Sequence, residues 1–371
     1  FRSADMRAGY VDVDGLMYVP DEAYFRIQKY RIYRDDIYIS VAGTLGIVGQ
    51  IPGYLDGANL TENANRITDI KCNIKFLMYW LMSSKIQGLI NQTQTLGAQP
   101  KLALTRIRNF PIILPPIEEQ EQIVEVLCNV DTLITNLRKL IRKKKDIRQG
   151  TMQMLVTGKK RLSGFDGNWR VTTLDQLCYI VTKQTGFDYS AEIKPSLVTT
   201  PQIGTIPFIQ NKDFEAFDIN YNTDFFIPYD VAEKYPRILL NEVCLLISIS
   251  GRIGNVAIFD NEQTSFAGGA VGIAKLYEPE LASWCMLYLS SKDGQEQIFS
   301  NEKVGAQHNL TVADVRKLEI KMPAKSEREA IIKVLTDMND EIEVLEEKLD
   351  KYQKIKQGMM EELLTGKVRL V

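Results

Sequence analysis

The chain carries one sequence twice. LVTGKKRL at 155–162 returns as LLTGKVRL at 363–370, GAQ at 97–99 as GAQ at 305–307, and SVAGTLG at 40–46 as SISGRIG at 248–254. All three matches share one offset, 208. Between 97–162 and 305–370 the copies align without a gap, and 25 of 66 positions are identical. A repeat of this kind constrains the fold more than any single motif, because whatever one copy folds into, the other should as well. The alignment continues upstream through Pro20 and Pro228 to Phe1 and Ile209. The second copy is therefore complete from about Gly164, whereas the counterpart of 164–208 is missing from the front of the first. Phe1 is not an initiator residue, so a missing native start is expected, and with it a first domain that is an incomplete version of the second.

Each copy has two parts. The first is mixed, rich in Gly, Asn and Tyr, with short β-like runs such as 37–41 and 243–249. The second is a long helix. Its apolar positions are Ile123, Leu127, Val130, Ile134, Leu137 and Ile141 in copy one. In copy two they are Ile331, Leu335, Met338, Ile342, Leu345, Leu349 and Tyr352. Steps alternating between three and four make a heptad seam. Pro115, Pro116 and Pro323 stand ahead of the helices and Gly158 and Gly366 behind them, the usual start and stop residues. A helix over 119–156 would span ~57 Å. Four segments follow: a first mixed domain at 1–113, N-terminally incomplete; a first spacer helix at 114–163; a second mixed domain at 164–322; and a second spacer helix at 323–371.

Charge sets the expected helix direction. Residues 138–148 sum to +6, against −4 for 335–345, which they meet if the helices run antiparallel, and +1 for 346–356, which they meet if parallel. Flanking charge sets orientation in paired helices, so antiparallel is expected. A solvated basic face or a nucleic-acid patch are the other uses of such a run. The fold class is then α/β (α+β): two copies of a mixed domain, separated by two long antiparallel coiled-coil helices, with a pseudo-twofold internal repeat. Lengthening a helix by one turn should change the spacing of whatever the two domains bind.

Several function classes fall away. No apolar run approaches the roughly 18 residues of a membrane span; 76–82 and 243–249 suit a buried helix or strand. The cysteines (Cys72, Cys128, Cys178, Cys244, Cys285) are scattered and form no C-x-x-C pair, which argues against zinc and disulfides and for a reducing cytoplasm. No phosphate-binding loop is complete: the two Thr-Gly-Lys tripeptides lack the upstream glycine and the closing Ser/Thr. No Asn/Asp-Pro-Pro-aromatic tetrad is present, since Pro115-Pro116 follow Leu114 and precede Ile117. His308 is the sole histidine, so triad chemistry has almost nothing to draw on. No catalytic residue and no metal site are expected.

Pro-Pro-x-x-Glu-Gln at 115–120, the heptads, Leu-x-Thr-Gly-x-x-Arg-Leu at 155–162 and Gly-Phe-x-Gly-x-Trp at 164–169 together resemble the specificity subunit of type I restriction-modification enzymes. The resemblance covers the whole chain in the family's order. The second helix departs in opening with Pro323-Ala324-Lys325-Ser326-Glu327-Arg328. The resemblance implies that each mixed domain is a target-recognition domain reading half of a bipartite site in double-stranded DNA. It implies helices that act as a ruler and dock two methyltransferase subunits, with restriction subunits joining through these. S-adenosylmethionine, ATP and Mg would then sit on partner subunits, with no cofactor in this chain.

Base reading needs Arg, Lys, Asn, Gln, Ser or Thr on loops. Two loops per copy qualify. The first, Ser-x-x-Gly-x-x-Gly, offers Ser40 and Thr44 in copy one and Ser248 and Arg252 in copy two; its glycines equally suit a tight turn after a core strand. The second offers Gln99 and Lys101 against Gln307, His308 and Asn309. Arg2 and Lys212 are added from position and charge. Net charge argues the other way, since the chain is at −2 and 164–322 at −7, where phosphate binding favours cations. Acidic groups on a far face and cationic partner subunits would reconcile this. The alternative is a non-catalytic coiled-coil adaptor that binds proteins through two similar domains.

Overall fold

A computed structural model describes residues 2–92, 101–215, 217–260, 262–300 and 309–370. The chain divides into two compact units, Phe1–Ile141 with Val344–Val371, and Arg142–Glu343. We call them unit 1 and unit 2.

Unit 2 is built around the strand Cys244–Ser248, in which all five residues are buried. This is the form a continuous apolar run takes when both faces of a sheet are covered. It lies second in a four-stranded antiparallel sheet, ordered Val256–Phe259, Cys244–Ser248, Val271–Leu276, Cys178–Lys183. Because side chains alternate across a strand, Leu245 and Ile247 enter a core with Trp284, Tyr288 and Ile298. Cys244 and Leu246 enter another with Phe208 and Phe266. The first core is closed by the helices Ala282–Ser290 and Lys292–Ser300. The second is closed by a sheet ordered Phe226–Pro228, Thr205–Ile209, Ser265–Ala267, Leu239–Leu240. A further strand pair joins Glu319–Met322 to Arg170–Thr173.

Unit 1 repeats this plan with fewer strands. Ile37–Ser40 lies between Val48–Gly49 and Ala64–Ile67. Ile37 and Ile39 face Phe76, Tyr79, Trp80 and Ile86, while Tyr38 faces Met6, Ile32 and Leu60. The apolar run at 76–82 falls in the helix Ile74–Met82, which Ser84–Asn91 follows. Among the described residues of unit 1, no strand stands where unit 2 has Arg170–Thr173, Cys178–Lys183 or Thr205–Ile209. The segment 111–114, which matches the strand Glu319–Met322, is unpaired, and Ile112, Ile113 and Leu114 are exposed.

The long helices are Ile117–Val156 and Lys325–Leu363. The first begins right behind Pro115-Pro116, two residues ahead of its expected start. Gly158 and Gly366 both adopt φ +74° behind the helix ends, the left-handed stop that glycine permits. The pairing is antiparallel in each unit. In unit 1, Glu119 near the start of the first helix pairs with Arg369, just past the end of the second, and Asp131 further along pairs with Lys356, further back. In unit 2, Lys144 pairs with Glu341 at 2.6 Å and Arg148 donates to Asn339. Of the seam residues, Ile123, Leu127, Ile134, Leu137, Ile141, Ile331, Leu335 and Ile342 are buried, and Val130, Met338, Leu345, Leu349 and Tyr352 are half-buried. All five cysteines are free. Among the described residues no helix is long and apolar enough to cross a membrane, and no cluster of potential metal ligands occurs.

Candidate functional site

The glycine loops end the buried central strands, and both are built alike. Ser40 Oγ donates to Thr44 O (2.6 Å) and accepts from Ile47 N (2.8 Å). Ser248 Oγ accepts from Asn255 N at 2.8 Å. The loops are closed by Gly46 N donating to Ser40 O and Gly254 N to Ser248 O, at 2.9 and 3.0 Å. Gly46 and Gly254 have φ of +78° and +88°, a conformation that side chains resist. Each is gripped from a neighbouring helix. Gln87 Nε2 donates to Gly46 O (3.0 Å) and Leu81 O (2.8 Å). Gln295 Nε2 does the same to Gly254 O (2.9 Å) and Leu289 O (2.8 Å). This pair of glutamines escaped the motif reading, although both occupy one repeat position; their use emerges only when helix meets loop. Ser40 and Ser248, counted among the candidate contacts, are fully buried with their hydroxyls engaged inside the loop. They shape it, and its outward chemistry rests with exposed Thr44 and Arg252.

The fold brings the second candidate loop against the first. Lys101 forms a bridge with Ala42, and Asn309 with Ser250. Leu102 N donates to Val41 O and Leu310 N to Ile249 O, both at 2.9 Å. Lys101 and Asn309 are exposed beside the glycine loops. Gln99, Gln307 and His308 lie outside the described residues. In unit 2 a third segment joins, as Asn211 Nδ2 donates to Ser250 O at 2.9 Å. Lys212 follows it, exposed and ion-paired with Asp224.

The matching turn in unit 1 is Ser3–Asp5, preceded by Arg2. Arg2 occupies the place of Gln210, so Arg2 and Lys212 are not counterparts. The carboxylates below the two turns differ accordingly. Burial pushes Asp213 above the usual carboxylate range, and the Gln210 backbone N–H only partly offsets this. Burial acts on Asp5 in the same direction, but the Arg2 backbone N–H and guanidinium outweigh it and hold Asp5 low. The paired loops bring the Thr44 loop and Lys101 together in unit 1, and the Arg252 loop, Asn309 and Asn211 together in unit 2. These are hydrogen-bonding groups suited to base edges and phosphates, set on backbone that shared bonds hold fixed.

Repeated motifs at the helix ends also find their partners. Arg161 makes a two-pronged ion pair with buried Glu327, with Nη2 to Oε2 at 2.6 Å, and Trp169 Nε1 adds a third donor at 3.0 Å. Arg369 makes the same ion pair with buried Glu119, with Nη2 to Oε2 at 2.6 Å. The arginine of Leu-x-Thr-Gly-x-x-Arg-Leu in one copy thus meets the glutamate of the other copy's helix start. Gln120 bonds Pro115 O (2.7 Å) and accepts from Asn73 N (2.9 Å), which gives Pro-Pro-x-x-Glu-Gln a structural use.

Residues 20–145 and 167–356 match a family model described as the type I restriction modification DNA specificity domain. A putative type I restriction enzyme MjaX specificity subunit of Methanocaldococcus jannaschii is 26% identical over 380 residues, covering 97% of this chain and 84% of that one. The type I restriction enzyme MjaVIII specificity subunit of the same organism is 25% identical over 327 residues, covering 83% and 72%. A solved structure described as the structural basis underlying complex assembly and conformational transition of the type I R-M system has a TM-score of 0.57 at 15% identity, covering 90% of this chain and 82% of that one. That last likeness is one of fold.

Proposed function

The chain belongs to the type I restriction-modification DNA specificity family, and we propose that each of its two units reads one half of a bipartite duplex DNA target. The observation that carries this is the paired loop. Each unit sets a glycine loop beside a second loop through equivalent backbone bonds, yet shows different side chains at equivalent points: Thr44 and Lys101 in one, Arg252 and Asn309 in the other. A shared frame with unshared exposed groups suits two readers of two different half-sites. In this reading the long helices dock two methyltransferase subunits, through which restriction subunits join. We assign methyl transfer and cleavage to those partners, and S-adenosylmethionine, ATP and Mg with them.

Duplex binding measured across salt concentration, with and without a methyltransferase partner, tests the reading. We expect sequence-specific binding by the assembled complex that weakens as salt rises, as phosphate contacts require. Absence of duplex binding in both states would contradict it and favour a protein adaptor.

A further inference from the structure

Gln184 follows the strand Cys178–Lys183 in unit 2 and is 3% exposed. Among the described residues neither its Nε2 nor its Oε1 has a hydrogen-bond partner. Burying an unpaired amide is costly, and an apolar side chain of the same size would avoid the cost. Such an exception asks for a use.

Its surroundings supply one. The space that a side chain on Gly269 would fill meets only Gln184 Oε1, at 3.4 Å. Gly269 is exposed. The next residue, Ala270, accepts from Ile249 N at 2.9 Å, and Gly268 N donates to Ile209 O at 2.8 Å. Ile249 belongs to the 248–254 loop, which Asn211 and Asn309 also join. Gln184 therefore stands behind the same edge of unit 2 that presents Arg252 and Asn309. Both amide atoms are closed to solvent in this state, and no side chain other than that of Gln184 lies within 4 Å of the space a Gly269 side chain would fill, so a shift of the Gly269 backbone opens the amide to a base edge. Unit 1 has Glu62 at the position of Gly269, because Asn63 O accepts from Val41 N there as Ala270 O accepts from Ile249 N here.

We propose that Gln184 is a further base-reading residue of unit 2, its amide offering the donor and acceptor that match adenine N7 and N6 in the major groove. The assignment rests on the reading that unit 2 binds duplex DNA. It makes an unusual demand: the residue is a burden to the fold and an asset to recognition.

The test is Gln184→Met in the full chain, assembled with methyltransferase subunits and used to select duplexes from a randomised library. Thermal unfolding of the same variant is followed alongside. We expect an unchanged or raised midpoint, and a loss of about tenfold to a hundredfold in preference at one A·T position of one half-site. The other half-site stays as it was. Gln184→Glu keeps the size but loses the donor, and shifts the preference at that position toward cytosine, whose N4 donates to a carboxylate. A lowered midpoint for Gln184→Met, or unchanged preference in both variants, overturns the assignment while leaving two-site reading intact. A wild-type complex that selects no sequence at either half-site sinks the DNA reading itself, and this assignment with it.

Discussion

Unit 1 holds its glycine loop with Gln87 on Gly46 O, and unit 2 holds its own with Gln295 on Gly254 O. Around these equal frames the units diverge. At the loops the divergence is chemical: Arg252 for Thr44, Asn309 for Lys101, Gln210 for Arg2. The difference teaches where each kind of constraint lies. Backbone closure needs glycine, serine and glutamine at fixed places and repeats them; the exposed side chains of the paired loops differ between the copies.

The largest expected effect tests the helix-end ion pairs. Glu327 takes three donors, including Trp169 Nε1, whereas Glu119 takes two from Arg369. We expect Glu327→Ala to destabilise unit 2 by about 1.5–3 kcal/mol, the range for hydrogen bonds to a charged group. Glu119→Ala should cost unit 1 less. Denaturant unfolding checks this, and equal losses would mean that Trp169 adds nothing.

Next come the glutamine clamps. Gln295→Ala and Gln87→Ala each remove two hydrogen bonds, at about 1 kcal/mol apiece. If the frames are equivalent, the two losses should agree, and hydrogen exchange should quicken at Gly254 N in one variant and Gly46 N in the other. Unequal losses would break the equivalence.

Arg252→Ala should alter folding by less than about 0.5 kcal/mol, as exposed substitutions do. It should weaken discrimination in one half-site by about 1–3 kcal/mol. Unchanged sequence preference would leave the glycine loop as a tight turn only.

The smallest effect concerns the turn carboxylates. Asp5 is held low in the fold, so its contribution is present above the usual carboxylate pKa and lost as pH falls through its folded value. Asp213 is raised, so its contribution is fully present below the usual carboxylate pKa and lost as pH rises through its higher folded value. At neutral pH, Asp5→Asn should destabilise, and Asp213→Asn should be neutral or slightly stabilising, each by less than about 1 kcal/mol. Matching signs would show that Arg2 does not set the difference.

Much of the frame was legible in the sequence because it rests on periodicity and repetition. Ile123 to Ile141 and Ile331 to Ile342 gave the helices, and the opposed charges around Lys144 and Glu341 gave their direction. Ser40 and Ser248 stand out in the sequence, but not the direction of their hydroxyls, because a short polar residue beside glycines looks the same whether it faces solvent or its own loop. Gln87, Gln295 and the crosswise Arg161–Glu327 and Arg369–Glu119 pairs were repeated in the sequence. Their meaning depends on contacts across long separations, which no local pattern encodes. Gln184 gives no sequence signal at all, since an unpaired amide is a property of its surroundings.

Exchange of residues 164–322 for the same region of a family member with a different target tests the central claim most directly. The readout is the duplex sequence selected by the assembled complex. The account predicts that one half of the bipartite target changes while the other half is kept. A change in both halves, or in neither, would contradict it.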